Sequence, residues 1–270
     1  MGSGKYQNEE PVWSGSPKGK PPEWLREARE AGGEVLEQLL ERVFPELDSE
    51  SAVVLLRNPH LPTRWIAKIL KEPRLASAYA VRRAGAFHPR TPRTLAMELV
   101  AGLYWVDLAA LGVDPRIHPA VRRAADERLL ERLPALAVGE KISLARRASP
   151  RVLQALRRDP TPRVVAALLE NPRMTETLLV SVAASEQASP AVLEVIAENW
   201  RWRSAYEVRV ALCRNPRTPL ATALGLLPLL KKPDLWAVAH DLALPLPVRR
   251  RAELLAGEGP RGRKPSESTS

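Results

Sequence analysis

A stretch of 48 residues recurs within this chain. Ser77-Ala78-Tyr79-Ala80-Val81-Arg82 returns as Ser204-Ala205-Tyr206-Glu207-Val208-Arg209, and the offset, 204 − 77 = 127, then runs on without a gap. It carries Pro89-Arg90-Thr91-Pro92 onto Pro216-Arg217-Thr218-Pro219, Asp107-Leu108 onto Asp234-Leu235, and Val121-Arg122-Arg123 onto Val248-Arg249-Arg250. Twenty of the 48 positions from 77 to 124 are identical, where a chain rich in Leu, Ala and Arg would match itself at roughly one in ten. Residues 77–124 and 204–251 are therefore expected to form one supersecondary unit built twice. Recurrence on this scale marks a repeat architecture, and between the copies the repeat is expected to drift.

Proline turns punctuate the whole chain. They read Asn58-Pro59-His60-Leu61-Pro62, His88-Pro89-Arg90-Thr91-Pro92, Asp114-Pro115-Arg116, Ser149-Pro150-Arg151, Asp159-Pro160-Thr161-Pro162, Asn171-Pro172-Arg173 and Asn215-Pro216-Arg217-Thr218-Pro219. The leading Asn, Asp, Ser or His ends a helix, because its side chain bonds the local backbone. The proline after it forbids continuation and biases its predecessor away from the α region. Thr is then expected as N-cap of the next helix, with the second Pro at the first helical position. One helix stops and another starts within about four residues, the spacing of a tight helical hairpin. The intervening segments carry apolar residues at helical spacing, such as Val164, Val165, Leu168 and Leu169, and no segment alternates like a strand. The expected fold is all-α with no β-sheet: a right-handed α-solenoid of stacked helical hairpins.

Composition sets limits on chemistry. Hydrophobic residues make up 45% of the 270 and aromatics 5%, so the core must be built of Leu, Ala and Val. The single cysteine, Cys213, excludes a disulfide framework or a cysteine metal site within one chain and fits a reducing, cytoplasmic compartment. Met1–Lys20 is polar and lacks the apolar core of a signal peptide. No run of about 18 apolar residues exists to insert in a membrane. Residues 1–20 read as a disordered leader, 21–256 as a single solenoid domain and 257–270 as a disordered tail. Gly2-Ser3-Gly4-Lys5 lacks the spacing and the Ser or Thr of a phosphate loop.

Val164-Val165-Ala166-Ala167-Leu168-Leu169-Glu170-Asn171-Pro172-Arg173-Met174-Thr175 and Val208-Arg209-Val210-Ala211-Leu212-Cys213-Arg214-Asn215-Pro216-Arg217-Thr218-Pro219 resemble the HEAT-like, armadillo-like and leucine-rich-repeat-variant α-solenoids of bacteria. The resemblance covers roughly residues 50–256 and implies a fold rather than a function, because such solenoids serve many roles. Some relatives carry a cysteine-rich iron–sulfur segment; one cysteine leaves this chain without it.

Catalytic signals are missing. No HExxH, CxxC or GxSxG occurs, and no glycine-rich phosphate loop follows a strand. His60, His88 and His118 sit at proline turns, where capping is the expected role, and His240-Asp241 would diverge on a helix. Asp126 and Glu127 with Glu131, interleaved with Arg128 and Arg132, have the spacing of ion pairs on a solvated helix face. Asp107 and Asp234 are expected as N-caps, and Trp105 and Trp236 as core residues. The chain is not expected to be an enzyme or to hold a cofactor or metal.

The net charge of +10 points to an acidic partner if the cations share a face. Arginines recur at Arg82-Arg83, Arg122-Arg123, Arg146-Arg147, Arg157-Arg158 and Arg249-Arg250-Arg251, and stacking would align them into basic ridges. The plainer role for such residues is to satisfy helix C-terminal carbonyls. Trp200-Arg201-Trp202-Arg203 has no aromatic counterpart in the first copy, where Pro73-Arg74-Leu75 stands. It reads either as a wedge between repeats or as an anchor for a partner. The expected function is a non-enzymatic scaffold that binds another macromolecule, a protein, through an Arg-rich curved surface. A nucleic-acid-binding solenoid is the second reading, and an enzyme resembling the HEAT-like DNA glycosylases the third. Oligomeric state is not legible.

Overall fold

The computed structural model describes residues 23–30 and 33–257; the leader at 1–20 and the tail beyond Gly257 lie outside them. Among the described residues the chain is all-helical, with no strand. It divides into two compact units, Met1–Arg132 and Leu133–Ser270. The first carries α1 (Glu23–Glu30), α2 (Gly33–Val43), α3 (Ser49–Leu55), α4 (Thr63–Lys71), α5 (Pro73–Ala76), α6 (Tyr79–Ala86), α7 (Arg93–Val100), α8 (Trp105–Val113) and α9 (Pro119–Arg132). The second carries α10 (Val138–Ala145), α11 (Pro150–Leu156), α12 (Pro162–Leu169), α13 (Glu176–Ala183), α14 (Pro190–Glu198), α15 (Tyr206–Arg214), α16 (Leu220–Leu226), α17 (Lys232–His240) and α18 (Leu246–Gly257).

The duplication is larger than the 48 matching residues. Ser49 and Glu176, Thr63 and Pro190, Tyr79 and Tyr206, Arg93 and Leu220, Trp105 and Lys232, and Pro119 and Leu246 open corresponding helices, every pair 127 residues apart (176 − 49 for the first). Burial keeps the same register: Val81, Ala86, Leu103 and Val121 are buried, and so are Val208, Cys213, Leu230 and Val248. The drifted stretch ahead of residue 204 is thus the front half of the second copy. Each unit holds one copy, and α10 precedes the second. The sequence signal fades in the front half because any apolar residue satisfies a helix face, so packing keeps the pattern while identity is lost.

At the asparagine turns local chemistry stops the helix where the sequence predicts. The Arg173 N–H donates to Asn171 Oδ1 at 2.8 Å, Arg217 N–H to Asn215 Oδ1 at 2.9 Å, and His60 N–H to Asn58 Oδ1 at 2.8 Å. Helix starts differ from expectation in detail. Thr161 is the N-cap of α12, but α7 and α16 are preceded by Pro92 and Pro219 at that position. Thr91 and Thr218 instead donate their hydroxyls back to Gly85 O (2.7 Å) and Leu212 O (2.6 Å), closing the helix before. Ser149 opens a helix rather than ending one, accepting from Val152 N–H.

A second set of bonds reaches across the hairpins. Asn58 Nδ2 donates to Ala28 O at 2.7 Å; Asn171 Nδ2 donates to Ala145 O and Ala148 O; Asn215 Nδ2 donates to Ala183 O and Ser185 O. All three asparagines are buried. Arginines do the same from the surface: Arg74 to Phe44 O and Leu47 O, Arg90 to His60 O, Arg132 to Ala101 O and Leu103 O, Arg201 to Leu169 O and Asn171 O, and Arg217 to Glu186 O. These stitches join residues 23 to 32 apart, about the length of one helical hairpin. They satisfy C-terminal carbonyls that a helix leaves open. Stitched helices also pack on each other: α3 on α6 and α7 on α9 in the first unit, α10 on α12, α12 on α14 and α13 on α15 in the second.

His88 takes the asparagine's place in this series. Its Nδ1 accepts the Arg90 N–H at 3.1 Å, which leaves Nε2 to donate to Asn58 O at 3.0 Å. Burial holds its pKa below the ordinary 6.5, against the bond to Asn58, and the Arg90 charge adds to the depression. The folded state therefore binds fewer protons here than the unfolded chain. His88's contribution is full above pH 6.5 and is lost as the pH falls from there through the folded value. Amide exchange in α6 is expected to accelerate across that window. His88→Asn, which copies Asn215, should flatten the dependence; an unchanged profile in the variant would assign the acid sensitivity elsewhere.

Candidate functional site

The stitches sort the candidate residues of the second unit into two rows of turns. One row follows α10, α12 and α14: Asn171 ties the turn at 145–148, and Arg201 and Trp202 tie the turn at 169–171. Arg146, Arg147, Arg173 and the segment Trp200–Arg203 lie in it. The other row follows α11, α13 and α15, where Arg157 donates to Ser181 Oγ at 3.0 Å and Asn215 and Arg217 hold the turn at 183–186. Arg157 and Arg158 lie there. The nine residues of α14 lead from one row to the other, about 13 Å along its axis.

Most candidate arginines are engaged by the fold. Arg83 donates to Asp107 at 2.7 Å, Arg146 pairs with Glu170 at 2.9 Å, and Arg147, in the turn after α10, bonds Ser143 of that helix. Arg82, Arg122 and Arg249 are half-buried, as is Arg209, and the Nε of each is buried without a hydrogen bond. They form two equivalent pairs, 82 with 209 and 122 with 249, so these side chains lie along the helical surface as part of the repeat, stems covering apolar neighbours. Arg123 and Arg250 are exposed. Arg158 and Arg203 are exposed as well, and their guanidinium groups find no acceptor among the described residues.

The two tryptophans of Trp200-Arg201-Trp202-Arg203 part company. Trp202 is 9% exposed, its indole N–H donates to Leu169 O at 3.2 Å, and Arg201 stacks on its ring at 4.7 Å. It fills the position of buried Leu75 in the first unit and is a wedge between helices, not a free platform. Arg201 repeats the role of Arg74. Trp200 is 81% exposed. Module one has Pro73 at its position and Ala76 at that of Arg203, so neither side chain is required by the repeat.

Around Arg157 and Arg158 the structure opens a cavity of about 440 Å³, completed by Ser181, Ser185, Glu186 and Gln187. The neighbouring carboxylate of Asp159 pairs with Lys141 and not with these guanidinium groups. Burial pushes its pKa up, but bonds from Thr161 and Lys141, the latter at 3.1 Å, outweigh that and hold it below the ordinary carboxylate value. Sequence pairing marked both arginines; Ser181 and Ser185 carried no signal, because only the tertiary fold brings α13 and the turn after it beside Arg157, 24 residues earlier than Ser181.

Other expectations change. Asp107 and Asp234 are not N-caps. They stand two residues inside α8 and α17, and each accepts the hydroxyl of a tyrosine, Tyr79 and Tyr206, from the preceding hairpin. The same hydroxyls accept the N–H of Tyr104 and Lys231, the residues before those helices. Burial and the bond to Asp107 push the Tyr79 pKa up to about 12. Trp236 is 62% exposed, with His240 stacked on it at 4.0 Å, and is no core residue; Trp105 is half-buried. Asp126 is buried rather than solvated, and Arg128 pairs with Glu131. Burial raises the Cys213 pKa to about 12, which keeps the thiol protonated at neutral pH. Among the described residues no group of three potential ligands is placed to hold a metal, and no helix is long and apolar enough to cross a membrane. No family model matches the chain, and neither does any curated protein or solved structure.

Proposed function

We propose that each unit is a short right-handed stack of helical hairpins of the α-solenoid kind, and that the protein is a non-enzymatic scaffold whose partner is another protein. The stitches at hairpin spacing and the packing of alternate helices support the architecture. One observation carries the function: Trp200, 81% exposed, stands beside uncommitted Arg203 where the first module has Pro73 and Ala76. An exposed Trp costs solubility, and Trp and Arg are among the residue types enriched at the energetic centres of protein interfaces. The many arginines engaged with carbonyls weigh against a continuous phosphate-tracking ridge.

Quantitative capture from the native host with the wild-type chain and with Trp200→Ala/Arg203→Ala tests this. A protein retained after nuclease treatment by the wild type and lost by the variant is the expected result. Loss of everything on nuclease treatment favours the nucleic-acid reading, and equal retention by both forms removes this surface from the argument.

A further inference from the structure

The cavity at Arg157 and Arg158 lies on the other row of turns, away from Trp200, and its lining has a consistent chemistry. Arg157 commits one Nη to Ser181 Oγ, whose own proton goes to Leu178 O at 2.6 Å. The remaining N–H groups of Arg157 are uncommitted, as is the whole Arg158 guanidinium. Ser185 Oγ accepts the Gln187 N–H at 3.3 Å, which leaves its hydroxyl proton free to donate. A third guanidinium, Arg217, lies outside the lining and is bonded to Glu186 O at 3.0 Å. The one carboxylate in the lining, Glu186, is exposed and free to swing into solvent. The site is thus a concentration of donors, and the ionised carboxylate beside it, Asp159, is held by Lys141 and Thr161 rather than by Arg157 or Arg158.

We propose that this cavity binds the phosphoryl group of a phosphorylated serine or threonine on the partner protein. Two forked guanidinium groups and a hydroxyl offer more donors, in more directions, than a planar carboxylate can accept, whereas a tetrahedral dianion presents three terminal oxygens to them. The volume of about 440 Å³ falls in the range of small-ligand clefts, about 300–1,000 Å³, and leaves room for the side chain bearing the group. A smaller recess adjoins it and shares Arg157, Arg158, Ser185 and Gln187; Pro160, Val182, Ala188 and Val192 give it an apolar side, where the carbon stem of that side chain would rest, and Asp159 and Ser189 complete it. The inference rests on the partner being a protein, but not on Trp200.

The test uses the full chain and a fluorescein-labelled peptide of alanine and glutamate with one central serine, compared with the same peptide phosphorylated there or carrying aspartate. The phosphorylated peptide is expected to bind at least about tenfold more tightly than either. Arg158→Ala, at an exposed position the fold does not use, is expected to remove that preference; Arg158→Lys, which keeps the charge but not the fork, should restore part of it; Arg203→Ala should leave it intact. Equal binding of the aspartate and phosphorylated peptides overturns the proposal in favour of general acid docking. Inorganic phosphate binding as tightly as the peptide overturns it in favour of a free anion. A preference that survives Arg158→Ala places the site elsewhere. Nuclease-resistant capture lost in Trp200→Ala/Arg203→Ala, together with no phosphopeptide preference, sinks this inference alone; the reverse pattern sinks only the Trp200 reading.

Discussion

Asn171→Ala is expected to destabilise the second unit by about 3 kcal/mol. The side chain is fully buried, and three backbone groups depend on it. Nδ2 serves Ala145 O and Ala148 O, and Oδ1 receives the Arg173 N–H. Truncation leaves two carbonyls and one N–H without partners where water has poor access, and each orphaned group costs about 1–3 kcal/mol, partly relieved by relaxation. Asn199→Ala is the control. Asn199 occupies the same kind of turn, half-buried, but its only side-chain bond among the described residues is from Arg201 N–H at 3.1 Å, so about 1 kcal/mol is expected there. Denaturant midpoints with unchanged slopes measure both. Equal losses at the two sites would show that these asparagines act through their own turns and not through the stitches.

The second large effect is a coupled one, at Leu70 and Gly85. A Cβ at Gly85 would stand 2.7 Å from Leu70 Cδ1, so α6 approaches α4 through the glycine and the leucine fills the space. In the second unit the corresponding residues, 127 further on, are Ala197 and Leu212: the large residue has moved to the other helix, and Leu212 is buried. Leu70→Ala alone is expected to cost about 3 kcal/mol through the cavity it leaves. Gly85→Leu alone should cost about 2 kcal/mol or more, because the added side chain collides with Leu70. The double substitution reproduces the second unit's arrangement and should recover about 2 kcal/mol relative to the sum. Chemical unfolding of the first unit reads all three. Simple additivity would mean that the two modules do not share a packing scheme at this contact.

That pair shows where reading the chain residue by residue stops. Positions 85 and 212 differ as Gly and Leu, and 70 and 197 as Leu and Ala; taken separately they are mismatches in the repeat. Only the contact between α4 and α6 joins them into one conserved volume. His88 is a similar case. Aligned with Asn215 it looks like a loss of the turn residue, yet its two ring nitrogens reproduce the acceptor and donor of the amide. Trp200 and Trp202 were indistinguishable by pattern, two residues apart in a turn, and the structure sends one into the gap beneath Leu169 and the other to solvent.

The sequence by itself determined the all-helical composition, the helix ends at the asparagine turns, and the register of 127 between the modules. Those follow from interactions within four residues of the chain: a side chain accepting the N–H two residues on, a proline without an N–H, an apolar stripe at helical spacing. The tertiary structure alone decided which charges are available. Whether an arginine at a helix end caps a carbonyl, as Arg74, Arg132 and Arg201 do, or stays free, as Arg158 and Arg203 do, depends on an acceptor about 30 residues away. Stacking brings that acceptor into reach, and no local pattern encodes it. The recurrence at 127 accordingly marks what both units need in order to fold, and the unshared residues, Trp200 and Arg203 on one row and Arg157 and Arg158 on the other, are where the proposed function resides.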